Sequence, residues 1–404
     1  MNLLKRITYV LALYLIFASC SSDDDNDDVI MNEPTCEEAI AGTIDICEIL
    51  AEDPTDPIGL EDCDGDGFNN LTECENGTNP LDAFLGAFEN GILVTNEGPF
   101  GNGTGTVTFI SDDYSTIDDT IFNDVNGSDL GNIVQSMGFS GDHAYIIANN
   151  SHKIEVVNRY TFETIATITE GLNNPRYFVA VGTNGYVTNW GDPFDETDDF
   201  VAIIDLTTNT VTSTISVTFG PEKIIESRGN IYVAHQGGYS QNSILTIINA
   251  ESNSFITTIE VGDVPNSMVI SEGNLWVLCG GNPNWTGNET NGRLVKIDVN
   301  TNETVQAFDF ELTEHPSSLT IDATNLIYSL GGGVYSNDTS SASLPTNSII
   351  DGFFYAMTAN DGKLYATDAG DFASNGSLII YDLTTNTEMQ TIEVGIIPGG
   401  VYFN

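Results

Sequence analysis

Beyond about residue 86 the chain is written in short stretches of alternating apolar and polar residues, separated by clusters of Gly, Asn, Asp and Thr. A period of two predicts β-strands, and the clusters between them predict turns. One stretch keeps returning: "ILVTNEG", "AYIIANN", "GYVTNWG", "IYVAHQGG", "LWVLCGG", "LIYSLGG" and "LYATDAG". With Leu93, Tyr145, Tyr186, Tyr232, Trp276, Tyr328 and Tyr365 as markers, the spacing runs from 37 to 52 residues. Repeats of that length built from short strands predict a β-propeller. Seven markers predict an all-β, seven-bladed propeller over residues 86–404.

A well-formed unit reads "SMVIS", "LWVLC", "GRLVKID" and "TVQAFDF", joined by "EGN", a long loop and "VNTNE". Strand direction alternates, so the loop between second and third strands falls on the same face of the disc as the link between units. The turns of the opposite face, such as "SRGN", "LTTNT" and "AESNS", read as closures only. The long loops fall on the other face. In "YVTNWGDPFDETDDFVAIID", from Tyr186 to Asp205, the connection far exceeds what a hairpin needs and carries Trp190 and Phe194. Such a loop marks the wide-loop face as the functional one. The last residues, "PGGVYFN", repeat a first-strand pattern. The C-terminal strand is therefore expected to complete the first blade and close the ring. "LGGGVYSND" has a tight connection where its siblings have loops, which places Tyr335 on a strand.

The first 85 residues have a different character. Lys5 and Arg6 precede "ITYVLALYLIFAS", too short for a comfortable membrane span but suited to a signal-peptide core over residues 1–19. It ends at Cys20, in "FASC". The acidic run "SSDDDNDD" then begins a solvated tether, residues 20–35. A Cys-rich module follows over residues 36–83, where Cys36, Cys47, Cys63 and Cys74 are expected to form two disulfides whose pairing the sequence leaves open. Within it "DCDGDGFNNLTE" sets Asp62, Asp64, Asp66, the Phe68 carbonyl, Asn70 and Glu73 at the spacing of a calcium loop. Ca²⁺ prefers six to eight hard oxygen donors, and alternate carboxylates supply them. An acidic turn without an ion is the competing reading. "DPTDPIGLE" ahead of the loop is a poor helix, so the ion would stiffen a spacer rather than work a sensor.

Charge narrows the function. With 10 Lys+Arg against 59 Asp+Glu, a formal net charge of −49, nucleic acid and anionic lipid surfaces are excluded as electrostatic partners. On the wide-loop face the loops present Trp190, Phe194, His235, Gln236, Tyr239, Asn282, Trp285, Asp371 and Phe372. The links between units add Asn174, Arg176, Tyr177, Lys223, Asn266 and His315. Aromatic planes among amides suit a bulky, mostly uncharged ligand such as cobalamin, a glycan or a peptide. The four histidines show no metal or hydrolase spacing, so the chain reads as a binder rather than an enzyme. A propeller enzyme of lyase or hydrolase type, and an adhesin for glycan or protein, are the alternatives. Cys279 reads as a buried free thiol.

The repeats "VAIIDLTTNTV" and "TIEVGDVPNSM" resemble those of YncE-like, surface-layer-type propellers. "FASC" resembles a lipobox, with Phe17 departing from the usual Leu, and the acidic run resembles the export signal of Bacteroidota surface lipoproteins. The calcium loop and "ENGTNPLD" resemble thrombospondin type 3 linkers. Together these imply a protein lipidated on Cys20, anchored in the outer membrane and exposed at the cell surface. Among such propellers the chain is similar to the lipoproteins that present cobalamin to a TonB-dependent transporter, which implies cobalamin as ligand and that transporter as partner.

Overall fold

The computed structural model describes residues 34–65, 68–76, 79–81, 86–101 and 103–404, in two compact units divided after residue 84. The signal peptide, Cys20 and Asp66 lie outside the described residues.

The first unit is helical, which its turn-rich sequence did not announce. Thr35 caps the helix α1 (Cys36–Ile40): its hydroxyl accepts the Glu38 N–H while the Glu38 carboxylate accepts the Thr35 N–H. Asp45 caps α2 (Ile46–Glu52), and a 3₁₀ turn at Pro57–Leu60 precedes α3 (Asn70–Asn76). The buried core is Ala39, Ile46, Leu50 and Ile58, too little apolar surface to hold a fold alone. The disulfides Cys36–Cys63 and Cys47–Cys74 settle the pairing that sequence left open, and they tie the two N-terminal helices to the chain around α3.

The second unit contains, among the described residues, seven four-stranded antiparallel sheets. The C-terminal strand Pro398–Phe403 lies innermost in the first sheet and pairs with Gly91–Asn96, so the two ends of the propeller close the ring. Tyr335 sits on the strand Gly333–Asp338, joined to Asn325–Leu330 through Gly331 and Gly332, whose φ of 59° and 87° suits glycine at a two-residue turn. Burial falls from the centre outwards. Second strands such as His143–Ala148 are buried almost throughout, whereas outer strands such as Ser254–Glu260 are mostly exposed. A second strand is paired on both edges and covered on both faces by neighbouring blades, which explains its continuous apolar run.

The marker aromatics bind blade to blade. Tyr145, Tyr186, Tyr232, Trp276 and Tyr328 are among the largest fully buried side chains. Tyr145 donates its hydroxyl to the Asn209 side chain at 3.0 Å, Tyr186 to Asn253 at 2.5 Å and Tyr232 to Asn302 at 2.8 Å. Each asparagine belongs to the next blade, in the turn between its third and fourth strands, at a φ of 52°, 51° and 59° respectively. Asparagine tolerates that left-handed conformation, and in two of these turns the carboxylate four residues before it, Asp205 or Asp298, accepts backbone N–H groups. The turns of the closed face therefore do more than close hairpins. Where the marker is Leu93, the matching position is Phe162, φ 60°, and the two share one apolar cluster.

Replacing Tyr232 by Phe, or Asn302 by Ala, should each lower the unfolding free energy by about 1 kcal/mol in chemical denaturation. The double variant should lose less than the sum of the two, and strict additivity would deny the inter-blade bond.

Candidate functional site

Four of the seven inner strands open in the same way: Pro175, Pro221, Pro265 and Pro398 are the first residues of theirs. The residues before them, Asn174, Gly220, Val264 and Ile397, have φ of 50° to 68°. Proline has no N–H to give, so these strands open on a pair that lacks one ladder bond. In five blades the register then slips, skipping Gln135, Arg176 with Tyr177, Glu222 with Lys223, Asn266, and Ser318 with Leu319. Such bulges re-aim side chains. Here all of these residues line one funnel of about 810 Å³ on the wide-loop face, completed by Glu97, Tyr355 and Gly399.

The funnel's charges are largely matched. Arg176 makes a two-pronged contact with Glu222, Nε to Oε2 at 2.9 Å and Nη2 to Oε1 at 2.7 Å, with both side chains mostly buried. Burial works against the guanidinium's charge, but Glu222 holds its pKa above the ordinary value. Its other face lies 4.0 Å from the ring of Trp190, whose Nε1 donates to the Pro221 carbonyl at 3.0 Å. Lys223 places its ammonium 3.9 Å from the Tyr177 ring centre. Burial pushes the Glu97 carboxyl up, although Tyr355 donates its hydroxyl to it at 2.8 Å. Between these groups stand the amides of Gln135, Asn149, Asn150, Asn174, Gln236 and Asn266.

The residues expected from the sequence fall in several places. Arg176, Trp190, Gln236 and Tyr239 line the funnel, as do Asn174, Tyr177, Lys223 and Asn266. Phe194 stacks on Tyr239 with ring centres 5.6 Å apart, beside the funnel. His235 is buried beneath it: Nδ1 donates to the Phe219 carbonyl at 3.2 Å, leaving Nε2 to accept the Thr246 hydroxyl at 2.8 Å. Asn282 donates its amide to Asp263 at 3.2 Å. Trp285, 77% exposed, stands on the turn Asn284–Thr286 outside the funnel lining. Asp371 accepts N–H groups of its own loop, and Phe372 packs edge-on against Tyr355 at 5.7 Å. His315 contacts the Gly280 carbonyl and Glu289. Cys279 is a buried free thiol, its pKa pushed up by burial. Sequence reading missed Glu97, Gln135, Glu222 and Tyr355. The shared Pro-x-x opening of the units carried the signal for Glu222.

In the first unit, Asp62 accepts the Gly65 N–H at 2.7 Å, and Glu73 is buried in the first turn of α3. The Asn70 side chain bridges its own module, accepting the Cys63 N–H at 3.2 Å and donating to the Ile58 carbonyl at 2.7 Å. The oxygen-only set of Asp62, Asp64 and Glu73 fits a hard cation by its donor chemistry. Cys36, Glu61 and Cys63 also lie close together, but the disulfide removes both thiolates as metal ligands.

A profile for a domain of unknown function, DUF5074, matches residues 90–397. The chain belongs to the DUF5074 family. A search of curated proteins returns no significant match. Among solved structures, a quinonprotein alcohol dehydrogenase-like protein from Bacteroides thetaiotaomicron superposes with a TM-score of 0.59 at 13% identity, over 78% of either chain. The computationally designed Ika8 protein gives 0.51 at 10% identity, over 78% of this chain and 98% of its own. The hydrazine synthase of Kuenenia stuttgartiensis gives 0.50 at 15% identity, over 68% and 91%. At such identities the likeness is one of fold.

The buried His235 makes an acid-labile element. Burial, the leading cause, lowers its pKa to about 4 against the contrary pull of its backbone hydrogen bonds. Between that value and the unfolded value of about 6.5, the unfolded chain takes up a proton that the folded chain refuses. Its contribution is therefore complete above about pH 6.5 and is lost as the pH falls towards 4. Replacing His235 by Gln, which can also donate and accept, should flatten the stability-versus-pH curve in that window by up to ~3 kcal/mol relative to the wild type. Parallel curves for the two proteins would refute this.

Proposed function

We propose that this chain is a surface-anchored receptor that captures a bulky, polar but largely uncharged ligand in the central funnel, with cobalamin the leading candidate. The observation that carries the reading is the contrast between a chain of net charge −49 and a funnel lined by amides and rings in which Arg176 and Lys223 stand against Glu222 and Glu97. A corrin ringed by amide arms pairs with amides and stacks on rings in the same way. The preformed walls, set by bulges of a closed ring, leave little ordering cost at binding. The YncE-like repeats, the lipobox ending at Cys20 and the acidic tether support an outer-membrane lipoprotein at the cell surface that passes its ligand to a TonB-dependent transporter. In this reading the chain is a binder and not an enzyme, and the module ahead of the propeller holds one Ca²⁺ through Asp62, Asp64, Asp66, the Phe68 carbonyl, Asn70 and Glu73.

Calorimetry should detect cobalamin binding by the wild type. Trp190→Ala should weaken it by about thirtyfold, the equivalent of ~2 kcal/mol, since the indole both walls the funnel and covers Arg176. Heat from a glycan panel and none from cobalamin would replace the ligand, and turnover of a substrate would replace the class.

The module should take up one Ca²⁺ with an affinity on the order of micromolar to millimolar. Asp62→Ala with Glu73→Ala should abolish the uptake while the propeller's thermal transition stays in place, because the two units have separate cores. Uptake surviving the double change would put the ion elsewhere.

A further inference from the structure

A second cavity, of about 320 Å³, adjoins the funnel, and Trp190, Pro193 and Tyr239 line both. Its walls are of two kinds. Three rings stand together, with Phe219 a fourth in the lining: Phe194 stacks on Tyr239, and Trp190 meets Tyr239 edge-on with ring centres 6.0 Å apart. Phe194 is 87% and Tyr239 65% exposed, so these rings are not packing a core. Four more are acidic residues, Asp192, Asp195, Glu196 and Asp199, and no Lys, Arg or His is among the described residues of the lining.

Asp199 stands apart from ordinary surface acids. It is only 4% exposed, its Oδ2 accepts the Gly220 N–H, and its Oδ1 accepts no hydrogen bond from a described residue. Burial pushes its pKa up to about 7, and Asp198, Asp195 and Glu196 push in the same direction against the Gly220 bond. The opposite wall, Phe219–Gly220 and Gly237–Ser240, brings no charged group to relieve it. A positive charge in the cavity would favour the ionised form.

We propose that this side cavity binds a small organic cation, an ammonium group carrying apolar substituents, with the three rings against its substituents and Asp199, Asp195 and Glu196 balancing its charge. Aromatic faces attract such cations through their quadrupoles, most strongly where water is excluded. A hard metal ion suits the cavity less, because the Phe194 and Trp190 rings offer it no oxygen and Asp195 Oδ1 already accepts the Thr197 N–H and hydroxyl at 3.0 and 2.6 Å. A neutral apolar solute would leave the buried Asp199 without a counter-charge.

The test is calorimetry on the full chain with choline, with ethanolamine, and with 3,3-dimethylbutan-1-ol, the uncharged isostere of choline. Choline should bind and the isostere should bind at least about tenfold more weakly. Phe194→Ala and Tyr239→Ala should each weaken choline by about three- to tenfold, and Asp199→Asn by at least as much. Phe194 is exposed, so its variant reports on the cavity and not on folding. Affinity should rise from pH 6 to pH 8 as Asp199 ionises, and Asp199→Asn should remove that dependence. Binding of ethanolamine without choline would mean a hydrogen-bonding ammonium site and would also overturn the proposal. Equal binding of the isostere, indifference to Phe194→Ala and Asp199→Asn, or no heat from either amine would overturn the proposal. Phe194 and Asp199 do not line the funnel, so cobalamin binding by Phe194→Ala tells the failure of this site from failure of the funnel reading.

Discussion

No blade can bury its own faces, and the whole molecule follows from that constraint. A four-stranded sheet has two apolar surfaces, so each second strand must be covered from both sides by other blades. The markers at the third or fourth position of those strands, Leu93 through Tyr365, meet that need and are nearly or wholly inaccessible to solvent. Hydroxyl bonds from Tyr145, Tyr186 and Tyr232 to the asparagines of the following blade add direction to an otherwise non-directional contact. The same need for cover explains why the chain's end returns to its beginning: an open ring would leave one blade face and one strand edge exposed.

Closure also builds the funnel. Innermost strands converge on the axis, and their register slips directly after their proline starts, where they reach the wide-loop face. The bulges that follow turn Arg176, Tyr177, Glu222, Lys223 and Asn266 inward. A rigid ring thus carries a polar, charge-matched interior within a strongly acidic chain. The side cavity differs because it is made by loops, which place Phe194 beside Tyr239 and bring uncompensated carboxylates together.

These origins set how far the sequence could be read. The period-two runs and recurring Tyr or Trp announced seven blades because burial on both faces forces a continuous apolar pattern that surface strands lack. The links announced Arg176, Tyr177 and Lys223 because they interrupt that pattern with charge and aromatic surface. Glu222 escaped because "PEKIIES" reads as an ordinary strand until the register slip after Pro221 is known. His235 looked like a loop residue, yet its strand runs on to pair it with Pro221, which turns the imidazole inward. Trp285 and Asp371 depended on loop conformations that no periodicity encodes. In the Cys-rich module the spacing of acidic residues was visible, but the engagement of Asn70 with its own backbone was not.

Hydrogen exchange of the intact protein with and without cobalamin tests the central claim most directly, because it locates binding without altering a residue. Capture in the funnel should slow exchange in the opening segments of the inner strands, around residues 133–137, 174–178, 220–224 and 264–268, with the turns at Asn209, Asn253 and Asn302 on the far face unchanged. Protection confined to those far turns or to the outer strands, or no protection anywhere, would contradict it.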